Sequence, residues 1–143
     1  MSIGILRWDG RYLESGEIET LLKEARIARV CCHNEDGTIH ATPTWFRYED
    51  GIVRIPIMSD SRKASNIKRN KNVTILVDMV NPPRGVMLYG TAVLDDVDVI
   101  AKAISVNEKY QSKEDAKVTI DRFLKETDFI LTVKIERLVS FHY

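Results

Sequence analysis

Two Asp-Gly pairs, Asp36-Gly37 and Asp50-Gly51, constrain the topology of this chain more than any other feature. Each stands between blocks of β-branched and aromatic residues with a period near two, and Asp-Gly favours the tight turns that join antiparallel strands. The blocks cover residues 28–33, 38–48, 52–58, 73–79 and 86–94. Asn81-Pro82-Pro83-Arg84-Gly85 reads as a longer, stiffer link between the last two. Parallel pairing would need a crossover after every strand, so these short links predict an antiparallel sheet that rolls into a barrel. Pro43 cannot donate a ladder hydrogen bond, which predicts an edge or an opened stretch there. Gly90 is expected at a bulge or a point of close packing.

Helical periodicity flanks the strands. Ser15 is expected to cap a helix that buries Ile18, Leu21, Leu22 and Ala25, with Glu17 and Glu19 in its favourable first turn. Asp95 or Asp96 is expected to cap a helix carrying Val97, Ile100, Ala101 and Ile104, and a second helix follows with Ala116, Ile120, Phe123 and Leu124. Residues 129–141 suit a last strand closing against the earlier ones. The sequence thus predicts a mainly β chain with flanking helices and six or so strands.

The 143 residues fit one domain, 1–143, large enough for a real core. Lys plus Arg equals Asp plus Glu at 21 each, so no overall field draws the chain to nucleic acid or to an anionic membrane. The stretch Met1-Ser2-Ile3-Gly4-Ile5-Leu6-Arg7-Trp8 lacks the features of an export signal, and no run reaches the ~20 apolar residues of a membrane span. A cytoplasmic location is the expectation. Cys31 and Cys32 are adjacent on a strand and point to opposite faces, so neither a disulfide between them nor a metal site is expected. His33, His40 and His142 match no metal spacing, and no nucleophile motif occurs. No catalytic acid, base or nucleophile can be named from the sequence.

Residues 56–68 carry the strongest chemical signal. An apolar run ends at Ile57-Met58-Ser59-Asp60-Ser61, whose hydroxyl and carboxylate groups can cap a helix, and Arg62 and Lys63 then occupy the first helical turn. Cations there oppose the helix dipole by roughly 0.3–1 kcal/mol each. A bound phosphate reverses that sign, because its oxygens can take the helix N–H groups, the serine hydroxyls and both cations together. The competing reading is a solvated basic helix with a weak start. Trp45 and Phe46 are neighbours on a strand, so one is expected in the core and the other toward a groove or surface, or both in plain core packing. Arg47 and Arg54 are read as surface charges.

The order of these pieces resembles the split-barrel flavoproteins similar to pyridoxamine 5′-phosphate oxidase. Residues 27–94 carry the likeness: Asp36-Gly37 before His40-Ala41-Thr42-Pro43-Thr44-Trp45-Phe46, then Asp50-Gly51, Ser59-Asp60-Ser61-Arg62-Lys63 with Asn66-Ile67 and Asn70, residues 73–77, and Val86-Met87-Leu88-Tyr89-Gly90-Thr91-Ala92. The resemblance implies an antiparallel split β-barrel and a homodimer with FMN in a groove at the subunit interface. It places Thr42, Pro43, Thr44 and Trp45 beside the isoalloxazine ring. Ile57, Met58 and Ser59 would pass under the ribityl chain, with Ser61, Arg62 and Lys63 on the phosphate and Arg84 near the cofactor. It implies an FMN-dependent oxidoreductase acting on a small molecule. Nothing after Phe129 resembles the Arg-rich, Trp- and Pro-containing segment with which the oxidases of pyridoxamine phosphate hold their substrate. The pattern His-x-Thr-Pro-x-Trp-Phe followed by Ser-x-Lys also occurs in relatives that use the deazaflavin coenzyme, factor 420, and in others that bind haem or have no proven reaction. A reductase using factor 420, and a flavin- or haem-binding protein without turnover, are therefore the alternatives.

Overall fold

The two outermost strands of the sheet are consecutive in the chain, and this fact shapes the molecule. The computed structural model describes residues 10–143. The reading of residues 1–8 as lacking an export signal lies outside them. In chain order the elements are α1 (Ser15–Glu24), β1 (Ala28–His33), β2 (Ile39–Thr44), β3 (Arg47–Glu49), β4 (Ile52–Ile57), α2 (Arg62–Arg69), β5 (Asn72–Val80), β6 (Pro83–Asp95), α3 (Val99–Asn107), α4 (Lys113–Phe123) and β7 (Phe129–His142). The strands form one seven-stranded sheet in the order β2-β1-β5-β6-β7-β4-β3. Every pairing is antiparallel. Because only Trp45 and Phe46 separate β2 from β3, the sheet must curl until its two edges come within about three residue lengths of each other, roughly 11 Å. The result is an antiparallel barrel split between β2 and β3.

Alternation along the strands builds the core. Val30 of β1, Ile75 and Val77 of β5, Val86 and Leu88 of β6, and Val53 and Ile55 of β4 are fully buried. Leu21 and Leu22 of α1 and Ala64 and Ile67 of α2 close over them in one cluster. A second cluster joins Val99 and Ala103 of α3 to Ile120 of α4, to Leu124 just after that helix, and to Ile130 of β7. Ile130 and the core residue Leu131 are strand neighbours on opposite faces, so the α3–α4 pair covers the side of β7 turned away from the main core.

The turns follow the sequence closely. Asp50 and Gly51 both take positive φ, 49° and 80°, as a two-residue hairpin requires, and Gly37 sits at φ 88°. Pro43 lies on the edge strand β2, opposite Arg29. The ladder between β6 and β7 shifts register between Tyr89 and Gly90, and a Cβ on Gly90 would stand 2.4 Å from the Lys134 carbonyl oxygen. Cys31 and Cys32 are both free thiols on opposite faces of β1.

Four expectations change. The block 38–48 is two strands on opposite edges, because the chain crosses the split at Trp45 and Phe46. The Asn81–Pro82 link is tight: Val80 already pairs with Pro83, so the connection is only Asn81 and Pro82, and Pro83 opens β6. Glu14, not Ser15, occupies the cap of α1, and its N–H donates to the Glu17 carboxylate at 3.1 Å. Neither Asp95 nor Asp96 caps α3, which starts after Asp98 in the left-handed region at φ 50°. Asp95 is engaged elsewhere, accepting from the Val97 N–H at 3.0 Å and from Lys102 Nζ at 2.6 Å.

Candidate functional site

The end of β4 and the start of α2 are locked in place by hydrogen bonds that the local sequence does not announce. Asp128, just before β7, is buried, and its two carboxylate oxygens accept from the Ser59 N–H at 2.7 Å and the Lys125 N–H at 2.8 Å. Burial pushes this carboxyl up, but the donated N–H groups outweigh it and hold the acid below its ordinary value. Ser61 then caps α2, accepting from the Ala64 N–H at 3.1 Å. The N–H groups of Arg62 and Lys63 keep no partner inside the helix, as at any helix start. At the other end, buried Asn66 donates to Asn34 Oδ1 at 2.9 Å and accepts from Arg69 at 2.9 Å, tying α2 to the β1–β2 turn.

Beside this helix start lies a cavity of about 340 Å³. One side is made by Thr44 and Trp45 at the end of β2, Pro56, Ile57 and Met58 at the end of β4, and Ser61 and Lys63 of the helix start. Asn107, Thr119, Ile120, Phe123 and Leu124 of the α3–α4 pair make the other. The wall is largely apolar, with Lys63 as its one cation among the described residues. Lys63 has no ion-pair partner among the described residues. Burial pushes its ammonium below the ordinary value, and the nearby Cys32 thiol counters only part of that.

The residues singled out in the sequence fall into three groups here. Thr44, Trp45, Ile57, Met58, Ser61 and Lys63 meet at the cavity. Thr42 and Thr44 share the inward face of β2, and the Thr42 hydroxyl is buried with no hydrogen-bond partner among the described residues. Ser59 is turned toward Asp128, Pro43 faces outward, and Arg62 is exposed at the helix start, where its charge helps hold the Asp36 carboxyl down, after the hydrogen bonds from Thr38. Arg84 lies apart from the cavity, donating to the Pro82 carbonyl at 2.8 Å and bordering Gly16, Glu17 and Leu21. Phe46 is fully buried while Trp45 is exposed at the cavity rim, so the two neighbours divide between core and groove. Arg47 is half-buried, held by the Ser105 carbonyl at 2.7 Å and by Glu49 at 2.8 Å.

The sequence reading missed the α3–α4 wall, Asp128 and Tyr110. Phe123 was legible as an apolar helix position, and its exposure of 65% at the cavity shows which way that helix face turns. Asp128 and Tyr110 sit in polar links with no periodicity, and only the fold brings them to partners 69 and 64 residues away. Among the described residues, no helix is long and apolar enough to cross a membrane. No group of three His, Cys, Asp or Glu residues there is placed to hold a metal ion.

A split antiparallel barrel with a cavity at a serine-capped, cation-bearing helix start defines a class, and the sequence assigns the chain to it. Residues 15–128 match the family model described as pyridoxamine 5'-phosphate oxidase, and the chain belongs to that family. Its fold is similar to that of a conserved hypothetical protein from Mycobacterium tuberculosis, with 23% identity, a TM-score of 0.75, and coverage of 95% of this chain and 88% of the other. A FAD-binding protein from Mesorhizobium loti matches at 17% identity and a TM-score of 0.71, covering 95% and 99% of the two chains. An F420 reductase matches at 21% identity and a TM-score of 0.68, covering 88% and 98%. No curated protein matches the chain.

Proposed function

We propose that the cavity binds FMN, with the phosphate at the start of α2, and that the protein is a flavin-dependent oxidoreductase acting on a small molecule. The observation that carries this reading is Lys63: an unpaired, burial-weakened ammonium beside the free N–H groups of a helix start, in the same cavity as the aromatic face of Trp45. A dianionic phosphate would relieve that burial penalty, and the helix N–H groups would add to the attraction. Arg62, exposed one residue earlier, would reach the phosphate from the solvent side. Among the described residues the buried Thr42 hydroxyl has an unused hydrogen-bonding capacity, and the outer edge of β2 offers backbone groups that no strand pairs. The cavity wall holds no carboxylate, imidazole or thiol among the described residues, which suits a site where FMN supplies the redox chemistry and the chain binds, orients and excludes water.

The same reading includes a homodimer. A cavity of about 340 Å³ stands at the small end of ligand sites, so a molecule the size of FMN would extend beyond it and need a further wall. The outer face of the sheet bears Leu76, Met87 and Val139 in register, with Ile39 and Val80 exposed at its margins. A second copy on that face would complete the groove. FMN is favoured over FAD because the cavity has one cation among the described residues and the sequence has no Gly-x-Gly-x-x-Gly turn for a pyrophosphate. The fold shared with an F420 reductase supports the deazaflavin coenzyme as the second reading.

The visible spectrum of freshly purified protein, followed by addition of NAD(P)H, tests the proposal. A flavin spectrum that bleaches supports the enzyme; a flavin spectrum that never bleaches favours a binder without turnover. A deazaflavin or haem spectrum overturns the FMN assignment. Titration of cofactor-free protein should show FMN binding more tightly than FAD, and the reverse order would refute this phosphate pocket.

A further inference from the structure

The split in the barrel is a place where two backbone polar groups lose their ladder partners, and one side chain from a distant loop supplies both. The Phe46 N–H donates to Tyr110 Oη at 3.0 Å, and the Tyr110 hydroxyl donates back to the Phe46 carbonyl at 3.1 Å. The same ring lies parallel to Trp45, with centroids 4.3 Å apart and planes 8° apart. Arg26 stands 5.0 Å from the Tyr110 ring centroid, and Lys109 lies 3.6 Å from the Phe46 ring centroid, so cations surround this aromatic group. Tyr110 is itself fixed: its N–H donates to the Asn107 carbonyl at 2.9 Å, and Gln111 beside it donates to Thr119 Oγ1 at 2.9 Å. Asn107 and Thr119 belong to the cavity wall.

With one face covered by Tyr110, Trp45 offers the cavity its other face and edge. A tryptophan free to rotate makes a poor stacking surface, because a ligand must then bear the entropy of ordering it. We propose that Tyr110 is the positioning residue of this site, holding Trp45 as a fixed wall against which a planar ring stacks and closing the barrel split beneath it. The inference deepens the FMN reading and rests on it for the identity of the ring. The Tyr110–Trp45 contact itself does not depend on that reading.

The test uses a Trp8→Phe background, which leaves Trp45 as the single tryptophan of the chain. Tyr110→Phe keeps the ring and removes the hydroxyl; Tyr110→Leu removes the stack as well. Acrylamide quenching of Trp45 should rise modestly in the first and several-fold in the second. Once released, Trp45 must be ordered by the ligand, so FMN affinity should fall by about two- to twelvefold, roughly 0.5–1.5 kcal/mol, in Tyr110→Leu and by less in Tyr110→Phe. In the Trp45→Leu protein the Tyr110→Leu change should then cost no further affinity, since Tyr110 acts through Trp45. Either Tyr110 variant, folded and with background quenching and background affinity, would overturn the proposal. Should Tyr110→Leu not fold, Tyr110→Phe decides by the same two readouts. If the background protein binds no FMN, the flavin reading fails, and quenching alone still decides whether Tyr110 holds Trp45.

Discussion

Single side chains at this site act mainly through burial. Lys109 shows it best: burial first, and then the charges of Arg26 and Arg47, push its ammonium down to about 8 from an ordinary 10.5. It donates to the Leu22 carbonyl at 3.3 Å and lies over the Phe46 ring, but it has no ion-pair partner among the described residues. In the unfolded chain Lys109 keeps its proton up to its ordinary value, whereas the folded chain releases it near 8. Folding therefore expels a proton between those limits, and stability should rise with pH across that window. Lys109→Met removes this titration. Measured by urea unfolding from pH 7.5 to 10, the wild type should gain stability relative to the variant as pH rises. A difference that stays flat would show that Lys109 titrates normally. Asp128 has the same slope in a lower window: its carboxyl is held down too, so the support it gives Ser59 is complete at neutral pH and is lost as pH falls from the ordinary carboxylate value through its lowered one.

At the scale of elements, local chemistry made the hairpins, the edge position of Pro43 and the phase of α2 legible in the sequence. Asp50-Gly51 needs positive φ twice, and few residue pairs supply it. The helix α2 could be read because Ala64 and Ile67 are its buried positions and Ser61 its cap. The crossing from β2 to β3 could not be read, because alternation within 38–48 records which residues are buried and not which sheet edge they join. Asp98 at the start of α3 and the roles of Tyr110 and Asp128 are likewise set by distant partners. Glycines provide a test at this scale. A Cβ at Gly90 would meet the Lys134 carbonyl at 2.4 Å, while one at Gly16 of α1 meets nothing within 4 Å. Gly90→Ala should cost about 1–3 kcal/mol by forcing β6 from β7, and Gly16→Ala should gain up to about 1 kcal/mol. Chemical denaturation of the two variants checks both, and equal effects would contradict the bulge packing described here.

For the whole molecule, a barrel split between consecutive strands leaves a groove beside the helix that bears Arg62 and Lys63, and an outer sheet face with Leu76, Met87 and Val139 in line. Light scattering of the FMN-loaded protein at micromolar concentration should give twice the 16.4 kDa of one chain. A mass of one chain with FMN still tightly held would rule out the shared groove. The central claim, that the start of α2 holds the cofactor's phosphate, is tested most directly by titrating FMN and riboflavin into wild-type, Arg62→Ala and Lys63→Ala proteins. Charge-assisted hydrogen bonds are worth roughly 1.5–3 kcal/mol, so Lys63→Ala should weaken FMN binding by about tenfold to a hundredfold, and exposed Arg62→Ala by less. Riboflavin, which lacks the phosphate, should lose little in either variant. Equal losses for both ligands, or none for either, would contradict the account.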